Sequence, residues 1–161
     1  VRSRGASFFK QKTAYEIHER LVGLEMCIRD RFGSMFLAQA NRLPGIHIVG
    51  IADLYPSIAR SNLAYVGWLA EKYAATSLDD AVKTGTSFVG DDWQALISHP
   101  AIDMIIECTG DPVAAVHHVI TAFQHGKNVI NATVEADAFC GAGLNQAVSY
   151  THLTLPTTPY V

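Results

Sequence analysis

Apolar side chains recur along this chain at helical spacing, then in unbroken runs, then at helical spacing again, and the rhythm repeats from Ser34 to about Gln146. Met35, Phe36, Leu37 and Ala40 share one helical face and the pattern stops at the turn-forming pair Pro44-Gly45, so a helix opens directly after Gly33. Ile46 to Ala52, β-branched and apolar and closing on Asp53, predicts a short buried strand. Ala59, Leu63, Val66, Leu69 and Ala70 predict a second helix over about Ser57 to Tyr73, weakened in propensity only by Gly67. A short helix over Ser77 to Lys83, a strand over Thr86 to Val89 and a helix over Asp92 to Ser98 with Asp91 as its cap come next, before His99-Pro100 stops the series.

The clearest strand is Ile102 to Cys108. Behind it, Thr109-Gly110-Asp111-Pro112 leads into a helix from Val113 to about Gln124, with Asp111 as N-cap and Pro112 at the first helical position. Gly126 suits a left-handed C-cap, and Lys127 to Thr133 predicts another strand, after which Asp137 can cap a helix. Strands and helices alternating at these lengths imply parallel pairing through right-handed crossovers: an α/β, doubly wound, mostly parallel sheet with helices on both faces.

The two ends do not share this rhythm. FFKQKTAYEIHERLVGLEMCIRDR (Phe8 to Arg31) and VSYTHLTLPTTPYV (Val148 to Val161) resemble translated sequencing-adapter read-through, and the last eleven residues from Thr151 hold four Thr and two Pro with no regular period. On that resemblance residues 1–31 and 148–161 are expected to be non-native, the tail unstructured, and residues 32–147 to be the domain. The basic, serine-bearing opening Val1 to Ser7 also has the character of a transit peptide, and a genuine helix over Thr13 to Leu24 is the alternative for the first segment.

Composition narrows the functional classes. A chain of 161 residues, 49% hydrophobic and 17% charged with a net charge of −3, is globular and lacks the clustered basic surface that nucleic acid requires. Cys27, Cys108 and Cys140 are scattered and odd in number, which points to neither a disulfide framework nor a zinc site and suits a reducing, cytoplasmic setting. The longest apolar run, around Ile102 to Cys108, is far shorter than the roughly 18 residues of a membrane span, so no membrane association is expected. His117 and His118 are adjacent on a helix and point about 100° apart, so they cannot share a metal ion on one face.

In a doubly wound sheet ligands bind beyond the carboxyl ends of the strands, which makes the residues just after each strand informative. Gly33 stands where a G-x-G-x-x-G fingerprint places its third glycine, but the first two positions fall on Ile28 and Asp30. Asp53 follows its strand twenty residues after Gly33, the spacing at which an acid accepts hydrogen bonds from the adenosine ribose; its alternative role is a helix cap. An acid there repels a 2′-phosphate and favours NAD, whereas Arg60 in the next helix could neutralise that phosphate and admit NADP. Thr109 and Gly110 let backbone approach a nicotinamide ribose at a helix N-terminus, or form an ordinary strand-to-helix turn. Asn131, Thr133 and Glu135 are candidates for the nicotinamide side. Cys108, Trp68 and Trp93 read as packing residues.

RFGSMFLAQANRLPGIHIVGIADL (Arg31 to Leu54), IIECTGDP and NVINATVEADAFCG together resemble the homoserine-dehydrogenase-like NAD(P)-binding family, in particular SAF-domain oxidoreductases that include a reductoisomerase-like branch acting on deoxyxylulose phosphate. The resemblance implies a Rossmann-type domain binding NAD or NADP, in which Phe32 and Gly33 end a G-A-G-x-F-G loop that this chain otherwise lacks. It also implies that the first strand is missing or imperfectly replaced by Leu21 to Cys27, and that the catalytic domain and its acids, bases or metal ligands follow outside this chain. The readings in competition are a non-enzymatic nucleotide- or CoA-binding module, against which Asp53 speaks, and an assembly artefact without function. A carboxylate at Asp30 facing the pyrophosphate makes cofactor binding weak or absent. Titration with NADH or NADPH is therefore expected to give no saturable fluorescence change at sub-millimolar cofactor, and clear micromolar binding would overturn this.

Overall fold

The computed structural model describes residues 20–26 and 31–148. Their strands are β1 (Arg20–Met26), β2 (Ile46–Ala52), β3 (Phe88–Gly90), β4 (Met104–Cys108) and β5 (Asn128–Asn131). The helices are α1 (Arg31–Ala40), α2 (Pro56–Tyr65), α3 (Leu78–Thr84), α4 (Trp93–Ser98), α5 (Pro112–Gln124) and α6 (Val134–Val148). The strands form one parallel sheet in the order β3-β2-β1-β4-β5, the doubly wound α/β arrangement expected from the alternation of elements.

Of the two alternatives for the first strand, absence or imperfect replacement by Leu21 to Cys27, the second holds. Arg20–Met26 fills the central position, paired with β2 on one side and β4 on the other, within the segment expected to be foreign to the domain. The helix considered over Thr13 to Leu24 is excluded from Arg20 onward, where the backbone is strand. The rest of that helix, the basic opening and the C-terminal tail lie outside the described residues.

The central pairing is imperfect in a specific way. Val22 faces Ile48 but Gly23 faces Gly50, so Val49 is an extra residue on β2. A bulge of this kind reverses the in-out alternation beyond it. Ile48 and Ile51 accordingly pack in one core layer with Leu37, Ala59, Leu63 and Ile106, while Val49 and Ala52 pack in the other with Leu78, Leu96, Ile97 and Ile105. The bulge turns Val49 and Gly50 to the same layer, which the sheet tolerates because Gly50 has no side chain. A Cβ there would stand 2.3 Å from Leu96 Cδ1 and 2.6 Å from Leu78 Cδ2, and one on Gly23 would stand 2.9 Å from Leu96 Cδ2. Leu96, 2% exposed, thus fills the space over both glycines.

Several boundaries differ from the sequence expectation, each for a local reason. α1 begins at Arg31, so Gly33 lies buried inside its first turn instead of preceding it. The single helix expected over Ser57 to Tyr73 is α2 followed by a 3-10 turn at Ala70–Tyr73. Gly67, at φ +87°, ends α2 in a Schellman motif: its N–H donates to Ala64 O at 3.1 Å and that of Trp68 to Leu63 O at 2.9 Å. The Trp68 indole is then free to donate to Leu37 O at 2.9 Å, which ties α1 to this corner. Asp92, not Asp91, caps α4, accepting from Ala95 N at 2.8 Å. Asp111 caps α5 as expected, with Pro112 at its first position and Gly126 at φ +69° beyond its end. α6 starts at Val134, which places Asp137 inside its first turn and not at its cap.

Among the described residues no helix is long and apolar enough to cross a membrane. The seat of Leu96 gives a stability test. Gly50→Ala is expected to cost about 1–3 kcal/mol by overpacking and Leu96→Ala about 2–5 kcal/mol by cavity formation. Because each change relieves the other, the double variant should be at least about 0.5 kcal/mol more stable than the sum of the singles in urea unfolding, and strict additivity would contradict the packing described.

Candidate functional site

The chain runs from β1 outward through β2 and β3, then returns to the other side of β1 for β4 and β5. The reversal leaves a crevice at the carboxyl ends of β1 and β4, the place where open α/β sheets bind ligands. Ile28 and Asp30, the first two fingerprint positions, lie outside the described residues. Phe32, 43% exposed, and buried Gly33 sit in the first turn of α1, which directly follows that region.

Asp53 stands one residue beyond β2 and is 4% exposed. Its backbone N–H donates to Gly90 O at 2.9 Å, fixing it against β3, and its Oδ1 accepts from Tyr55 N at 2.8 Å. That Asx turn leads into α2 without capping it, since α2 has no side-chain cap. Oδ2 is buried and has no hydrogen-bond partner among the described residues. Burial pushes the carboxyl above its usual range, and the Tyr55 amide only partly offsets this. A buried acceptor left unsatisfied is costly, and a ligand hydroxyl would satisfy it. Arg60 is turned elsewhere: Nη1 donates to Tyr73 O and Nη2 to Val89 O, both at 3.1 Å, so the guanidinium ties the 3-10 turn to β3.

Across the crevice, β4 ends in a turn whose Gly110 adopts φ +71°, a left-handed conformation that suits glycine. Among the described residues nothing stands within 4 Å of where its Cβ would be, so the backbone is open to approach. The Gly110 N–H donates to Thr133 Oγ1 at 3.1 Å, joining this turn to the residue that precedes α6. Thr133 is 1% exposed. Its N–H donates to Asn131 Oδ1 at 3.3 Å, and Asn131 Nδ2 donates to Asp137 Oδ1 at 2.9 Å. Thr109, Gly110, Asn131 and Thr133 therefore form one connected wall, with Glu135 exposed at its outer end.

One residue of that wall was not picked out as a site residue in the sequence. Glu107, fully buried in β4, accepts at Oε1 from Thr109 N at 3.0 Å and from the Thr109 hydroxyl. His118 of α5 lies with Nδ1 3.7 Å from the same oxygen and packs against Trp93, ring centroids 4.5 Å apart. Burial alone would raise the Glu107 pKa, but the neighbouring His118, Thr109 and Thr133 outweigh it and hold the carboxyl below its usual range, while Oε2 is buried without a hydrogen-bond partner among the described residues. The available signal was a lone acid inside an otherwise apolar strand, a residue that is almost never fully buried unless paired. A cavity of about 250 Å³ at the amino end of β2, lined by Pro44, His47, Trp68 and Lys72 among others, is separate from this crevice.

Residues 48–148 match the family described as homoserine dehydrogenase, NAD binding domain. No curated protein matches the chain. Among solved structures it is similar to a candidate oxidoreductase from Magnetospirillum magnetotacticum MS-1, at 21% identity and a TM-score of 0.55 over 83% of this chain and 36% of that one. It is also similar to an NAD binding oxidoreductase from Klebsiella pneumoniae, at 18% identity and a TM-score of 0.55 over 82% of this chain and 32% of that one. Apo scyllo-inositol dehydrogenase from Lactobacillus casei matches at 12% identity and a TM-score of 0.53 over 83% and 34%. These likenesses support the fold, and the chain spans about a third of the length of each of these proteins.

The state of Asp53 can be tested through stability. Its pKa is raised in the folded chain, so the folded state favours the proton: no cost below the ordinary carboxylate range, full cost above its own raised pKa. Asp53→Asn should therefore raise Tm at neutral pH, and the gain should vanish as pH falls into the range where Asp53 takes up its proton. A gain of equal size at every pH would show that burial of the charge is not its cause.

Proposed function

The chain belongs to the homoserine dehydrogenase NAD-binding domain family, and on that premise we propose that it is the dinucleotide-binding part of an NAD(P)-dependent oxidoreductase. The observation that carries the reading is the buried, unpartnered Oδ2 of Asp53 at the carboxyl end of β2, an acceptor suited to a ribose hydroxyl. The residues present fit such a cofactor at both ends of the crevice. Asp53 would hold the adenosine ribose. The open backbone at Gly110, with Thr109 beside it, would lie along the nicotinamide ribose. Asn131, Thr133 and Glu135 would border the nicotinamide, and Phe32 and Gly33 the helix that follows the phosphate region. The bound cofactor supplies hydride transfer; the chain's own part is to bind and orient it.

Between the two dinucleotides, NAD fits better. A carboxylate at Asp53 opposes a 2′-phosphate, and both Arg60 nitrogens that would meet it donate instead to backbone carbonyls. Substrate chemistry is proposed to lie with residues other than those described. A cytoplasmic setting belongs to the same reading, supported by three scattered cysteines.

The phosphate region provides the test. Replacing Ile28 and Asp30 by glycine removes a carboxylate and two side chains from positions where the fingerprint needs bare backbone. The I28G/D30G chain should bind NADH at least about tenfold more tightly than the parent, a change of about 1.4 kcal/mol, read by fluorescence or calorimetry. Adding Asp53→Ala should abolish that gain. No gain from the glycine pair, or a gain indifferent to Asp53, would overturn the proposal.

A further inference from the structure

We infer that Glu107 is a positioning residue for the nicotinamide half of the crevice: it fixes the Thr109-Gly110 turn from beneath without itself reaching the ligand. The inference rests on the dinucleotide reading above and deepens it. Three observations converge. Glu107 is fully buried at the carboxyl end of β4, where a carboxylate is costly to fold unless the surroundings hold its charge. Its Oε1 takes two hydrogen bonds from one residue, the amide and the hydroxyl of Thr109. The next residue is Gly110, whose own N–H is held by Thr133 Oγ1 and whose backbone is otherwise open.

The turn is thus gripped on both sides of the Thr109–Gly110 peptide. A carboxylate does this better than a neutral side chain, because its charge strengthens each hydrogen bond it accepts. His118 Nδ1 stands 3.7 Å from the same oxygen, and Oε2 is buried without a hydrogen-bond partner among the described residues, so the grip on the turn runs through Oε1. Asp53, which serves the adenosine half, makes none of its own hydrogen bonds to these residues. The two halves of the crevice are therefore supported by separate groups, and damage to Glu107 should be felt at one end only.

That separation supplies a readout beyond folding. AMP probes the adenosine half alone, whereas NAD spans both. In the full I28G/D30G chain, amide chemical shifts followed into the millimolar range should show both ligands perturbing Asp53 and Tyr55, and only NAD perturbing Gly110. Glu107→Leu should weaken NAD by about tenfold while leaving AMP within about twofold, the loss corresponding to about 1.4 kcal/mol. Glu107→Gln keeps one acceptor without its charge, so it should weaken NAD by about threefold, again sparing AMP, and it serves if Glu107→Leu does not fold. Equal weakening of AMP and NAD, or unchanged NAD binding in a folded variant, would make Glu107 a structural residue and overturn the inference alone. Failure of the I28G/D30G chain to bind either ligand would overturn the dinucleotide reading and this inference with it.

Discussion

A strand paired along both edges retains no freedom of register, and Val22 to Glu25 of β1 have partners on β2 and on β4 alike. That double pairing fixes where the chain reverses across the sheet. It sets Asp53 on one flank of the crevice and the Thr109-Gly110 turn on the other. It also explains the bulge at Val49: β1 cannot slip to absorb the mismatch, because β4 holds it, so the extra residue is displaced onto β2. Leu96 then packs over the paired glycines and seals the layer between sheet and α4.

Much of this architecture was visible in hydrophobic spacing. The Ile46–Ala52 strand emerged with its observed limits, and Asp111-Pro112 opened α5 where capping chemistry placed it. What escaped was information held in non-local contacts. Leu21 to Cys27 reads as an imperfect substitute for the first strand, but LVGLEM alternates poorly, so its pairing on both edges at the centre of the sheet depended on partners far along the chain. The end of α2 escaped for a different reason: Leu69 and Ala70 continue the helical period, and only the left-handed Gly67 and the reach of Trp68 to Leu37 show that the chain has turned. Among candidate site residues, Asp53 was singled out by spacing and Gly110 by its place after a strand. Glu107 was hidden because a buried acid in a strand looks, in one dimension, like an ordinary polar interruption.

The crevice holds two buried carboxylates whose surroundings act in opposite directions. Asp53 has one amide for company and is pushed toward its neutral form; Glu107 has a histidine and two threonines and is kept ionised. Each keeps one buried oxygen without a hydrogen-bond partner among the described residues, so the difference lies in the other oxygen: Oδ1 of Asp53 meets one amide, whereas Oε1 of Glu107 meets an amide and a hydroxyl with His118 nearby.

The hydrogen bond from Gly110 to Thr133 has a mechanical meaning. Thr133 immediately precedes α6, whose Val134 and Phe139 are 66% and 75% exposed. The helix reaches the crevice by two hydrogen-bonded routes, Thr133 to Gly110 and Asp137 to Asn131, so a load applied to its exposed face outside the sheet is delivered to two residues of the wall at once.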